Sequence, residues 1–279
     1  MVPVCDALRM GWSFTADLQG FPAEAEAWLL RDPVRSTVPL TVLNRIRQGD
    51  EQNGMLLGWY TGGGAVAGVV VHTPPFPLIL GDLPGEAIGA LAEALRGREV
   101  RGVSGPRETV AAFGAAWPRP VRDRMAMRLY RLGELRPHAV DGEARAAEAG
   151  DEELVVAWYR AFFAEAEPAN AGVDPTTPVR GRIAEREIVL WEAGGEPVAL
   201  AALSSPIAGM SRIGPVYTPP RSRRRGYGAA ATHAATRSAI DAGAERVLLF
   251  TDLANPTSNS IYQALGYRPV DDYASTHFG

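Results

Sequence analysis

The chain has 279 residues, 46% hydrophobic and 22% charged, with a formal net charge of −4. That length suits two domains of about 140 residues each, and the composition is that of a chain folded over most of its length. The acidic balance argues against nucleic acid, the lack of a long apolar run against a membrane span, and a lone cysteine, Cys5, against disulfides and multi-cysteine metal sites, so a reducing, cytoplasmic setting is expected.

No lysine occurs, so all 28 cationic side chains are arginine. The N-terminal Met-Val-Pro-Val-Cys-Asp-Ala-Leu-Arg has no apolar core of secretory length. Helices are expected at Pro22–Leu30 and Val38–Gln48. Strands Met55–Tyr60 and Ala65–His72 flank Gly62-Gly63-Gly64, a hairpin signature. Pro74-Pro75 ends that run. A short strand at Leu78–Leu80 follows, then a helix (Glu86–Arg96), a strand (Val100–Ser104), a helix (Pro106–Ala116) and a strand (Arg124–Leu132).

After a linker near Gly133–Gly142 the order repeats. A strand (Ala144–Glu148) leads to helices at Glu152–Glu165 and Pro178–Arg186. Strands Ile188–Ala193 and Pro197–Leu203 flank Gly194-Gly195, and Gly209–Thr218 is a third strand. A helix from Gly226 to Ala242 stops at Gly243. The strand Arg246–Thr251, the helix Pro256–Leu265 and a strand from Tyr267 complete the half. The shared order reads as a degenerate tandem repeat, residues 1–133 and 134–279.

Two stretches of the second half carry chemistry. In Asn255-Pro-Thr-Ser-Asn-Ser-Ile-Tyr-Gln-Ala-Leu-Gly266-Tyr267, Asn255 suits an N-cap, Pro256 the first helical position and Gly266 the C′ position. Ser258 and Tyr262, four apart, share one face of this helix. In Arg212-Ile-Gly-Pro-Val-Tyr-Thr-Pro-Pro-Arg-Ser-Arg-Arg-Arg-Gly226-Tyr-Gly228-Ala, an extended segment stops at two prolines, and an Arg- and Gly-rich loop feeds a helix. Backbone N–H groups at such a helix start, with glycines that let a ligand approach, form an anion site. A Walker loop needs Gly-Lys, and no lysine exists. The dinucleotide fingerprint G-x-G-x-x-G is absent.

Arg223-x-x-Gly226-x-Gly228 resembles the pyrophosphate loop of GNAT-type N-acetyltransferases, and Asn255-x-x-Ser258-x-x-x-Tyr262-x-x-x-Gly266-Tyr267 resembles that family's tyrosine helix. The resemblance covers roughly the second half. It implies a mixed α/β fold of two GNAT-like domains in tandem, each a mostly antiparallel central sheet with helices on both faces. It also implies acetyl-CoA as cosubstrate, with no metal. Val216, Tyr217 and Thr218 would lie beside the pantetheine and thioester. The diphosphate would meet Arg223, Arg224, Arg225, Gly226, Tyr227, Gly228 and Ala229, with Asn255 and Ser258 nearby. The first half has Gly81-Asp82-Leu83-Pro84-Gly85 at the corresponding place and Phe113 in its last helix, so it lacks both the arginines and the phenol and reads as inactive.

Tyr262 is the catalytic candidate, because a thiolate leaving group needs a proton or a hydrogen bond. With reference pKa values near 10 and 8.5, full transfer is uphill by roughly 2 kcal/mol, which favours a hydrogen-bonding role. Glu187, Glu192, Asp252, or Tyr217 through water are open as base, and no His spacing suits a metal. Trp158, Tyr159, Phe162 and Phe163 read as core, with one or two facing an acceptor pocket. The expected protein is a monomer or homodimer acting on a small-molecule or peptide amine, with no nucleic-acid or membrane partner. The alternatives are a non-catalytic acyl-CoA-binding regulator and, less in keeping with the charge, a nucleic-acid-directed acetylase.

Overall fold

The structure, a computed structural model, describes residues 10–49 and 53–279; Cys5 and the rest of the N-terminal stretch lie outside the described residues. The chain divides into two units, residues 1–127 with 272–279, and residues 128–271.

The first unit contains β1 (Gly11–Thr15), α1 (Ala23–Leu29), α2 (Thr37–Arg47), β2 (Leu56–Gly62), β3 (Ala65–His72), β4 (Leu78–Leu80), α3 (Gly85–Ala94), β5 (Gly102–Pro106), α4 (Arg107–Ala116) and the start of β6 (Val121–Leu132). Its sheet runs β1-β2-β3-β4-β5, all antiparallel except the β4–β5 pair. Alternation along β3 explains its burial on both faces. Val70 packs into the cluster of Leu78, Leu91, Val103 and Phe113, while Val69 and Val71 are buried facing the other way. Strand β1 has no counterpart among the sequence expectations. Its five residues carry only Trp12 and Phe14 as a signal, and the Trp12 indole N–H is anchored on the carbonyl of Ala87, 75 residues away.

The second unit contains residues 128–132 of β6, β7 (Glu143–Ala146), α5 (Glu152–Ala166), α6 (Thr176–Ala184), β8 (Ile188–Ala193), β9 (Glu196–Leu203), β10 (Met210–Tyr217), α7 (Tyr227–Asp241), β11 (Arg246–Asp252), α8 (Pro256–Ala264) and the start of β12 (Tyr267–Phe278). The strand order is β6-β11-β10-β9-β8-β7, with β10–β11 parallel and β7 through β10 antiparallel. On β9, Ala199, Ala201 and Leu203 pack towards α7 and α8, and Leu200 and Ala202 towards α5 and α6. Five small or apolar residues in a row are what a strand covered on both faces requires. Each unit is thus a mixed sheet between helices, with one parallel pair at the same place in the order.

The division differs from the expected 133/134 boundary. Residues 272–279 belong to the first unit because they pair antiparallel with β5, from Tyr273↔Pro106 to His277↔Gly102. Residues 128–132 lie beside β11 in the second. A strand's alternation shows that it pairs, and its partner is decided only in three dimensions. No helix among the described residues is long and apolar enough to cross a membrane.

Candidate active site

The parallel ladder between β10 and β11 runs from Met210↔Arg246 to Ile213↔Leu249 and ends there. Strand β10 continues to Tyr217 and rejoins β9 at Val216↔Ala201, after an irregularity between Ile213 and Val216. Pro215 has no N–H to donate, and the carbonyl of Gly214 accepts a hydrogen bond from Arg182 Nη1 at 3.1 Å. Strand β10 therefore leaves β11 over its last four residues and opens a fork. Val216 packs with the apolar cluster of α7 and α8. Tyr217 points the other way, among Trp158 and Tyr159 of α5.

Past the fork, Pro219 and Pro220 turn the chain into the arginine loop. Arg224 (φ 61°) and Gly226 (φ 85°) both adopt left-handed backbone, and Gly226 is the N-cap of α7. No side chain caps that helix and its first turn has no acidic residue, so the N–H groups of Tyr227, Gly228 and Ala229 point out of the helix start. Arg224 and Arg225 are exposed beside them. A Cβ on Gly228 would stand 3.0 Å from Thr218 Oγ1, so the cradle has room for backbone and little else.

Arg223 is committed differently from its neighbours. Its Nη2 pairs with Glu165 Oε2 at 2.5 Å, its Nε donates to the Thr218 carbonyl at 2.8 Å, and its guanidinium lies over the Tyr217 ring, 5.8 Å from the centroid. The Tyr217 hydroxyl donates to the other oxygen of Glu165 at 3.2 Å. Burial, then the Glu165 carboxylate, push the Tyr217 phenol above its usual range. His138 Nε2 lies 3.1 Å from the Gly226 carbonyl and braces the loop from the linker. Neither Glu165 nor His138 stands out in the sequence, because each acts on a loop distant along the chain.

The tyrosine helix forms as its sequence implies. The Asn255 side chain accepts from the Ser258 N–H at 3.0 Å, so its carboxamide is spent on capping. Asn259 donates to the carbonyls of Asp252 and Asn255, and accepts from the buried Tyr130 hydroxyl at 2.9 Å. Tyr262 is buried, 9% exposed, with its ring edge-on to Tyr267 at 6.2 Å. Burial pushes its phenol up to about 12, against a smaller opposing effect of the Ser258 hydroxyl. Tyr267 shifts the same way, chiefly by burial, with its hydroxyl 2.6 Å from Thr236 Oγ1.

The carboxylates open as bases in the sequence are engaged in structure. Glu187 accepts from the Ser205 N–H at 2.5 Å, Glu192 pairs with Arg145 at 2.6 Å, and Asp252 caps the turn at Ala254 at 2.8 Å. Among the described residues, no group of three or more His, Cys, Asp or Glu could hold a metal.

Residues 152–267 match the model of the Acetyltransferase (GNAT) family. No curated protein sequence matches the chain. A tandem GNAT protein from the clavulanic acid biosynthesis pathway is similar in structure, with a TM-score of 0.58 at 12% identity over 96% of this chain and 99% of that one. A GCN5-related N-acetyltransferase from Sphaerobacter thermophilus gives 0.59 at 14% identity, with 95% and 94% covered. A GCN5-related N-acetyltransferase from Kribbella flavida gives 0.52 at 20% identity, with 76% and 86% covered. At these identities the likeness concerns the fold. Residues 152–267 thus match the GNAT acetyltransferase family, and the fold of the chain is similar to that of a tandem GNAT protein.

Proposed function

We propose that the second unit transfers an acetyl group from acetyl-CoA to an amine by direct attack. The observation that carries this reading is the uncapped start of α7, with left-handed Arg224 and Gly226 and exposed arginines, placed directly after a fork in the sheet. Anionic diphosphate suits those N–H groups and the helix dipole. The tight space at Gly228 fits a ligand held by backbone. The pantetheine amides would pair with β10 beyond Ile213, as a peptide adds to a sheet edge. Acetyl-CoA supplies the activated acyl group; the chain binds it, orients it and meets the charge that develops on sulfur and oxygen.

With its phenol near 12, Tyr262 stays protonated at neutral pH. Full transfer to a thiolate of pKa about 8.5 would be uphill by roughly 5 kcal/mol, so Tyr262 acts as a hydrogen-bond donor to the departing sulfur. Of the site residues implied by the sequence, Asn255 serves the helix, and Arg223 must leave Glu165 before it can meet a diphosphate.

The test is a thermal-shift and calorimetric titration with acetyl-CoA, followed by a screen of amines for free-thiol release. Saturation at a hundredfold excess over Kd is expected to add about 2.7 kcal/mol of stability. No response to millimolar acetyl-CoA would remove the proposal. Binding without thiol release for any amine would favour a non-catalytic acyl-CoA-binding role.

A further inference from the structure

We infer that Arg182 selects the acceptor. Its guanidinium, held at the apex of the fork, takes a carboxylate, so the amine acetylated carries a carboxylate close to its nitrogen, as an amino acid does. The inference rests on the acetyltransferase reading above and adds the acceptor class that reading leaves open.

Arg182 lies in the last turn of α6. Its neighbour Ile183 packs with Val155 and Tyr217, which puts α6 on the α5 face of the sheet. The side chain reaches β10. Nη1 donates to the Gly214 carbonyl at 3.1 Å and to the Tyr159 hydroxyl at 3.1 Å. Gly214 directly follows Ile213, the last residue of β10 paired with β11. Direct contact therefore fixes the guanidinium at the apex of the fork. A diphosphate at the start of α7 lies past the outer end of β10. The pantetheine then runs back along Thr218, Tyr217 and Val216 and brings the thioester next to Gly214. An amine attacking there has Arg182 within reach of its substituents.

Arg182 differs from the other arginines of its unit in what it holds. Arg145, Arg160, Arg180 and Arg223 each pair with a carboxylate. Arg182 holds two neutral oxygens and, among the described residues, makes no ion pair. Of the carboxylates whose charge it feels, Glu187 accepts from the Ser205 N–H and Glu185 is exposed. A guanidinium drawn out of water without a counter-ion is costly, and a bound anion would offset that cost. Its Nε and Nη2 donate to nothing among the described residues, and neither is sealed from solvent. That open edge is the one with which Arg180 grips both oxygens of Glu152, at 3.0 and 2.5 Å. It matches a carboxylate, two N–H groups to two oxygens. Half-buried Phe162 and Phe163, the latter edge-on to Tyr159 at 6.3 Å, offer apolar surface nearby for the rest of the acceptor.

The pairing also serves the reaction. A carboxylate holds the proton on a neighbouring ammonium, and neutralising it with Arg182 frees more of the amine to attack.

The experiment measures free-thiol release from acetyl-CoA with the standard L-amino acids. The best of them is then compared with its methyl ester and its decarboxylated amine, each rate corrected for the free-amine fraction. Wild type is expected to prefer the amino acid by on the order of a hundredfold in kcat/KM. Calorimetry should show the matching carboxylic acid without its amino group binding in the presence of CoA. These measurements use the unaltered chain and need no variant to fold. Arg182→Met is expected to lose on the order of a hundredfold in kcat/KM for the amino acid, chiefly through KM, and to lose the preference. Its acetyl-CoA affinity should change by less than about twofold. Arg182→Lys should restore part of the preference, since it keeps the charge without the fork. An arginine that only braces α6 would lower all three rates alike and leave the preference standing. A wild type that acetylates the ester and the decarboxylated amine as well as the amino acid would overturn the inference alone. So would one that acetylates only amines without a carboxylate, or a folded Arg182→Met protein that keeps the preference. A wild type that fails to bind acetyl-CoA would remove the proposed function, and this inference with it.

Discussion

The two units share a sheet order and a parallel pair, and they part company in the five to ten residues after the first strand of that pair, β4 in one and β10 in the other. In the second unit those residues form an open cradle: Arg224 and Gly226 turn left-handed, and α7 begins uncapped. In the first unit α3 also begins without a side-chain cap, but the chain before it is closed at Gly81 and carries acidic residues. The Gly81 N–H is spent on the Val69 carbonyl at 3.0 Å, and a Cβ on Gly81 would lie 2.9 Å from that oxygen and 3.0 Å from the Trp28 ring. Asp82 pairs with Arg35 at 3.6 Å, and Glu86 occupies the first turn of α3. In the last helices an aromatic ring holds the same position: Tyr262 and Phe113 are each the seventh helical residue, and only one has a hydroxyl. Under the proposed function, a few backbone angles and one oxygen are what set the second unit apart from the first.

The strongest way to break this contrast is to give the second unit the first unit's charge. Gly228→Asp places a carboxylate among the α7 donors and forces a Cβ against Thr218. Acetyl-CoA affinity is expected to fall by on the order of a hundredfold or more, with the fold retained. Unchanged affinity by calorimetry in a folded mutant would show that the diphosphate lies elsewhere.

Tyr262→Phe gives the second unit the first unit's side chain. The expected loss is about a hundredfold in kcat, near the low end for a proton-donating group, with little change in acetyl-CoA affinity. Because the phenol lies near 12, wild type should show no basic limb from Tyr262 between pH 6 and 10. An equal kcat in the mutant, with chemistry rate-limiting, would reduce Tyr262 to a packing residue.

The smallest effect is expected from the reverse exchange. Phe113 is fully buried, stacked on Trp117 at 5.3 Å. Phe113→Tyr adds a hydroxyl to that apolar cluster, at a cost of roughly 1–3 kcal/mol of stability, and adds no activity. A mutant as stable as wild type by denaturant titration would mean the position is polar or wet, and the contrast with Tyr262 less sharp.

Much of this was legible in the sequence for a physical reason. Glycine-tipped hairpins, the Arg223–Gly228 loop and the Asn255–Gly266 helix are local devices, and each element formed within a few residues of its expected place. What escaped is non-local. Strand β1 is defined by its partner β2, residues 272–279 by β5, and the commitment of Arg223 by Glu165, 58 residues away.

The strand segment 272–279 also sets a schedule. Residues 1–127 leave the ribosome early, but the sheet of the first unit lacks the strand that lies against β5 until the far end of β12 has been made. At ordinary elongation rates that wait is on the order of ten to thirty seconds. During it, the β5 edge from Gly102 to Pro106 presents unpaired backbone to whatever comes near. A truncation after Asp271 would make that exposure permanent.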